Sequence, residues 1–167
     1  NHTLLKYTGG NMEKTARTSI EYAQDNWAIQ LGGTFRNFGD LIGGKNVGTQ
    51  MPSGYSEKTA NAKLKFKLSN HDEFTFSSQT LIQTDVPIYH KVVLENFKIN
   101  KIAKQEKGIH YVKWERNTKS KLFSSFQVIQ SLQFSKEERE SNKNNASIYK
   151  YENDQVRTYG SILDILS

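Results

Sequence analysis

Four histidines, His2, His71, His90 and His110, are the side chains best suited to hold a metal or haem iron, and the chain has no cysteine to join them. Ligation needs several such groups converging on one point. Here the histidines are scattered singly, so their spacing writes no metal site. His90, directly after Tyr89 in an irregular stretch, has the most useful surroundings of the four; the simpler reading is a solvated loop histidine. His71 lies among turn formers, and His110 lies within a strand. The signatures of nucleophile elbows, zinc helices, phosphate loops and dinucleotide folds are missing, so no catalytic residue, resident cofactor or metal is expected and the chain does not read as an enzyme.

Composition narrows the classes further. Only 35% of the 167 residues are hydrophobic, and the mean hydropathy of −0.71 is closer to a protein surface than to an interior. Such a chain is either a well-solvated β protein or one whose apolar residues all serve one face. The net charge of +6 would permit contact with nucleic acid. The lysines, however, are spread along strands and loops with no dense basic run, so no nucleic-acid partner is expected. No apolar run approaches the ~18–20 residues of a membrane helix, which leaves a strand-built membrane protein open.

The elements that must carry these side chains announce themselves by period-two alternation. The clearest case is the hairpin of residues 59–85. Ala60, Ala62, Leu64, Phe66 and Leu68 take one parity against Asn61, Lys63, Lys65 and Lys67. After the turn Ser69-Asn70-His71-Asp72, the residues Phe74, Phe76, Thr80 and Ile82 oppose Thr75, Ser77, Gln79 and Gln83. Further strands are expected at 3–8, 15–23, from Trp27 to Arg36, at 109–114, at 126–135 and at 156–166. Trp27, Ile29, Leu31 and Phe35 share one face, and Gly32-Gly33 in that strand allows coiling or a close approach.

Connections complete the pattern. Short turns are expected at 24–26, 69–72 and 117–120 (Asn117-Thr118-Lys119-Ser120), and loops of roughly twenty residues at 39–57, 86–107 and 136–155, far longer than compact soluble domains favour. Strict alternation of short and long connections is the habit of outer-membrane barrels. The fold class expected is therefore all-β: an antiparallel up-and-down meander of about eight strands, part of a larger transmembrane β-barrel. Its apolar parity would meet lipid. Its polar parity (Lys63, Lys65, Lys67, Gln79, Gln83, Gln127 and Gln133) would line a lumen, with His110 on that lumen side or near an interface. Tyr7, Tyr22, Trp27, Phe38, Tyr111, Trp114, Phe134 and Tyr159 would form aromatic girdles, or would be ordinary strand aromatics. Pro87 ends a strand, because it has no N–H to give the ladder.

Several segments carry a family likeness. Gly54-Tyr55-Ser56-Glu57, then Asn61-Ala62-Lys63-Leu64, then Gln83-Thr84-Asp85-Val86-Pro87 resemble the barrel region of TonB-dependent outer-membrane receptors, of the haem, cobalamin and siderophore type found in Bacteroidetes-like bacteria. Tyr111-Val112-Lys113-Trp114-Glu115 and the stretch from Gln133 to Arg139 are similar too, so that the likeness spans roughly residues 30–166. It implies that residues 1–167 are one barrel segment without the plug domain, sited in a bacterial outer membrane. The implied role is barrel wall and external loops of an active-transport receptor for an iron complex, haem or a cobalamin-like nutrient. Its partners would be outer-membrane lipid, the small-molecule nutrient and, through the missing plug region, the TonB complex. Asp85, Tyr89 and His90 in the external loop would touch ligand. The competing expectation is a soluble lipocalin-like barrel binding a small molecule, with Leu64, Phe66, Phe74 and Phe76 turned inward.

Overall fold

The computed structural model describes residues 1–44, 46–118 and 124–166. Eight strands form one antiparallel sheet in which every neighbour in space is also the next long strand in sequence. They are β1 (His2–Thr8), β2 (Glu13–Gln24), β3 (Trp27–Phe38), β6 (Tyr55–Lys67), β7 (Asp72–Pro87), β8 (Phe97–Asn117), β9 (Ser125–Lys143) and β10 (Tyr149–Leu166). Two short strands, β4 (Leu41–Ile42) and β5 (Thr49–Gln50), pair with each other in the connection between β3 and β6. A helix, α1 (Tyr89–Leu94), fills the connection from β7 to β8. The eight-stranded antiparallel meander is as expected from the alternation. Among the described residues β1 pairs only with β2 and β10 only with β9, so both edges of the sheet are open.

The register fixes the two faces. Trp27, Ile29, Leu31 and Phe35 stand opposite Phe66, Leu64, Ala62 and Lys58, and the first three of those opposite Phe74, Phe76 and Ser78. The lysine parity of β6 lies on the other face with Gln79, Gln83, Gln127 and Gln133. Because the sheet is a single layer, segregating faces does not create an interior. Among the described residues no hydrophobic side chain is buried, and the few buried ones are polar: Thr15, Thr34, Glu57 and Thr75.

Three expectations need correction. Residues 86–107 are not one long loop: β7 runs on to Pro87, α1 intervenes, and β8 starts at Phe97. Residues 136–155 are not a loop either, since β9 continues to Lys143 and β10 begins at Tyr149. The cause is charge complementarity across the ladder, where Lys104 faces Glu138, Glu106 faces Lys136 and Lys101 faces Glu140. Opposite charges directly across a ladder support strand pairing where apolar contacts are lacking. In consequence the strict alternation of short and long connections fails at the last pair, where 144–148 is a short turn. The third expected tight turn reaches Lys119 and Ser120, which lie outside the described residues. Pro87 does end its strand, as its chemistry requires.

Local distortions sit where the strands leave the apolar region. Asp85 has φ 56°, in the left-handed region. On β8 the pairing with β9 skips between Ile102 and Lys104, leaving a bulge at Ala103. Bulges of this kind bend a strand and re-aim its side chains. Two glycines show why a side chain is missing: a Cβ on Gly108 would run into the ring of Phe134, and one on Gly54 into the Phe38 carbonyl oxygen.

Candidate functional site

The largest organised surface is the apolar face. One of its rows runs Trp27, Phe66, Phe74, Trp114 and Val128, at the end of the sheet with the tight turns. Rings meet along and across this row: Phe74 faces Trp114 in register at 6.1 Å between centroids, and Tyr22 with Trp27 at 5.3 Å and Trp114 with Phe126 at 5.1 Å are diagonal neighbours. Both indole N–H groups turn toward polar partners beside the turns. Trp27 Nε1 donates to Gln24 Oε1 at 3.0 Å and Trp114 Nε1 to Asp72 Oδ1 at 3.1 Å. Each tryptophan thus offers an apolar body to the band and a polar tip to its margin.

The opposite margin is where same-face residues become charged or amide: Asn37 follows Phe35, Lys136 follows Phe134 and Arg157 precedes Tyr159. This margin is oblique to the strands. Phe35 shares its row with Lys58, Ile82, Glu106, Lys136 and Gln155, whereas Tyr159 on β10 is four residues from Gln155 after five strand-to-strand steps. With ~3.3 Å per residue and ~4.8 Å between strands, the band crosses the strands at a slant equivalent to a tilt of roughly 30°. Of the eight expected girdle aromatics, Phe38 and Tyr111 fall on the polar face by register; the other six lie on the apolar one. Sequence reasoning missed Phe66, Phe74 and Phe126 as rim residues, although the two tryptophans marked the row.

The polar face carries a lateral hydrogen-bonded row. Arg36 Nη1 donates to Glu57 Oε1 at 2.5 Å, and Gln83 Nε2 donates to Glu57 Oε2 at 2.9 Å. Two strands on, Gln105 Nε2 donates to Glu137 Oε2 at 2.6 Å, and Arg139 pairs with the other oxygen of Glu137. A cavity of about 920 Å³ lies on this face, reached by Arg17, Gln30, Asn61, Gln79, Gln133 and Thr158 from six strands.

At the loop end the expected ligand contacts separate into two groups. Asp85 is exposed and accepts from Lys101 Nζ at 2.5 Å, while Lys101 also reaches Glu140 at 3.6 Å. The Asp85 carboxylate raises the Lys101 pKa above its ordinary value, against partial burial. Tyr149 donates its hydroxyl to Glu140 at 2.9 Å, and that bond raises the phenol's pKa. Tyr89 and His90 belong instead to α1, where His90 Nε2 stands 3.9 Å from Glu95, itself paired with Lys91 at 2.5 Å. Lys101, Glu140 and Tyr149 escaped sequence reasoning because their strands read as loops; the opposed charges of 101–106 and 136–140 were the available signal. His110 lies on the apolar face rather than on the face of Lys63, Gln79 and Gln133. Its own strand is ambiguous, but its row partners Ser78 and Leu132 are not.

The β3–β6 connection is pinned by Asp40, whose Oδ1 accepts from the backbone N–H of Ser53 at 2.6 Å and of Gly54 at 2.9 Å. Those bonds hold its pKa below the ordinary carboxyl value. A group lowered in the folded state contributes order fully above its unfolded pKa of about 3.9 and loses it as pH falls through the folded value. As pH falls through that lowered value, the protection factors of the Ser53 and Gly54 amides, the intrinsic exchange rate at each pH over the observed one, are expected to fall. Asp40→Asn should flatten that dependence, and an unchanged pH profile in Asp40→Asn would disprove the assignment.

Comparisons of this chain with family models, with curated proteins and with solved structures return no match.

Proposed function

We propose that this sheet is a stretch of wall from an outer-membrane transport receptor of the TonB-dependent type. It would take up an iron complex, haem or a cobalamin-like nutrient. The apolar face meets lipid, the polar face lines the lumen, and both open edges continue into further strands of a larger barrel. The chain performs no bond chemistry of its own. Loops at the end bearing Asp85, Tyr89 and His90 meet the nutrient, and energy coupling to the TonB complex belongs to the plug region.

One observation carries this reading: an eight-stranded single layer has no buried hydrophobic residue among those described, yet one face carries an aromatic-rimmed apolar band, while the other mixes polar residues with Leu81, Ile109, Tyr111, Ile129 and Ile162. In water such a sheet has nothing to offset the entropy of ordering its backbone. In lipid, an outward apolar band flanked by aromatics is what a barrel wall requires, and the slant of the band approaches the ~35–45° strand tilt of such barrels. The extended β8 and β9, 21 and 19 residues long, outrun the ~9–11 residues that span a bilayer. Their charged outer parts therefore stand clear of it. The lipocalin-like alternative needs Phe66 and Phe76 enclosed, and they are 42% and 47% exposed.

Lipid contact is directly measurable. In vesicles with bromines at graded acyl depths, Trp27 and Trp114 are expected to be quenched most by the shallowest bromines. Equal quenching at all depths, or none, together with extraction free of detergent, would sink the proposal.

A further inference from the structure

The apolar band is interrupted at its middle. Ser78, His110, Gln130 and Ser161 all lie on the apolar face, within two adjacent rows. They form two couples: Ser78 Oγ with His110 Nδ1 at 2.9 Å, and Ser161 Oγ donating to Gln130 Oε1 at 2.8 Å. Each couple leaves one group over. Among the described residues His110 Nε2 and Gln130 Nε2 have no hydrogen-bond partner. His110 is four residues from Trp114 at one rim and four from Glu106 beyond the other, about 13 Å along the strand each way. Both groups border a cavity of about 500 Å³ whose other walls include Leu31, Leu64, Phe76 and Leu132.

A hydrogen-bonding group held in hydrocarbon without a partner costs several kcal/mol, and an ionisable residue at mid-membrane depth is a functional-site hypothesis in its own right. An apolar cavity of a few hundred Å³ with a few convergent polar groups is the usual form of a small-molecule site. Resting on the lipid-facing reading above, we propose that this notch binds a small lipophilic carbonyl compound that enters from the bilayer. The oxygen of the Gln130 amide accepts from Ser161, which leaves its Nε2 as a donor toward the cavity. His110 Nε2 is a donor in the tautomer whose Nδ1 accepts from Ser78, so two donors border the one cavity and suit a carbonyl oxygen held there. A phospholipid headgroup stays at the margin, about 13 Å away, and a plain alkane satisfies neither donor. The ketone supplies the acceptor and its apolar body fills the cavity.

A benzophenone carrying a nonyl chain tests this, because its carbonyl is both the acceptor and the photoreactive group. The full chain in lipid nanodiscs is irradiated with it, and labelled residues are mapped by mass spectrometry. Labelling is expected to concentrate on Leu31, Phe76 and Leu132 and to fall about tenfold there in the His110→Phe, Gln130→Leu double variant, the loss of roughly one hydrogen bond. His110→Gln, which keeps a hydrogen-bonding side chain, should retain most of it. A decyl-bearing quinone should compete and decane should not. Uniform labelling along the band, unmoved by the variants, overturns the notch while leaving lipid contact intact. Equal competition by decane does the same. Absence of label from the whole apolar face, Phe35 and Leu163 included, overturns both the notch and the wall.

Discussion

Arginine in place of Leu31 is expected to cost about 2–4 kcal/mol of folding free energy in a bilayer, the penalty for a cation at the midplane of a barrel's lipid face. Leu31 sits halfway between Trp27 and Phe35 on its own strand, in the row of Ala62, Ser78 and Leu132. It is already exposed. In water an exposed leucine exchanged for arginine changes stability by no more than about 0.5 kcal/mol. The size of the effect therefore separates the two solvents. Gln79→Arg is the matched control, at nearly the same height on the polar face, and should stay within that smaller range. Denaturant titration of folding into liposomes reads both variants. Equal costs for the two would mean that neither face is in lipid.

What the sequence made legible follows from where the chemistry differs between neighbours. In β6 from Ala60 onward, and in the first half of β7, oil and water alternate, so Leu64, Phe66, Phe74 and Phe76 could be assigned to one face from their own strand alone. β8 gives no such answer. Ile109 and Tyr111 claim one parity, Val112 and Trp114 the other, and only the rows fixed by β7 and β9 decide. Read from its own strand His110 could take the polar parity, and only those rows assign it to the apolar one. Strand ends failed differently. From Lys104 to Lys107, and from Lys136 to Glu140, both parities are polar, and alternation of hydropathy has nothing to alternate. Those strands persist because of who stands across the ladder, which is a non-local fact. The loop rhythm that first argued for a barrel thus weakens, while the single-layer segregation of faces argues for it more strongly. Of the candidate ligand contacts, Asp85 was legible as a strand-end carboxylate, but its partner Lys101, sixteen residues on, was hidden in the misread loop.

Glu57→Ala is expected to destabilise the sheet by about 2 kcal/mol, by removing the acceptor for two side chains at once. Glu57 is 6% exposed, and its two oxygens are shared between Arg36 on one neighbouring strand and Gln83 on the other. Breaking a fully buried pair costs about 3–5 kcal/mol, because the surviving charge is stranded. The Arg36 side chain is 37% exposed, so water rescues part of it and the smaller figure applies. Glu57→Gln keeps one acceptor oxygen and nearly the same shape, and should cost about half as much. Adding Arg36→Met to Glu57→Ala removes the orphaned guanidinium and should recover part of the loss. The double-mutant cycle would then give a coupling of about 1–2 kcal/mol, whereas additive costs would show that the two side chains act separately. Glu57 lies on the polar face beyond the row of Phe35, near the charged margin. Its cost should therefore be the same in detergent and in bilayers. The penalty for Leu31→Arg should grow as the hydrocarbon around it thickens, and the contrast tests the two faces of one wall against each other.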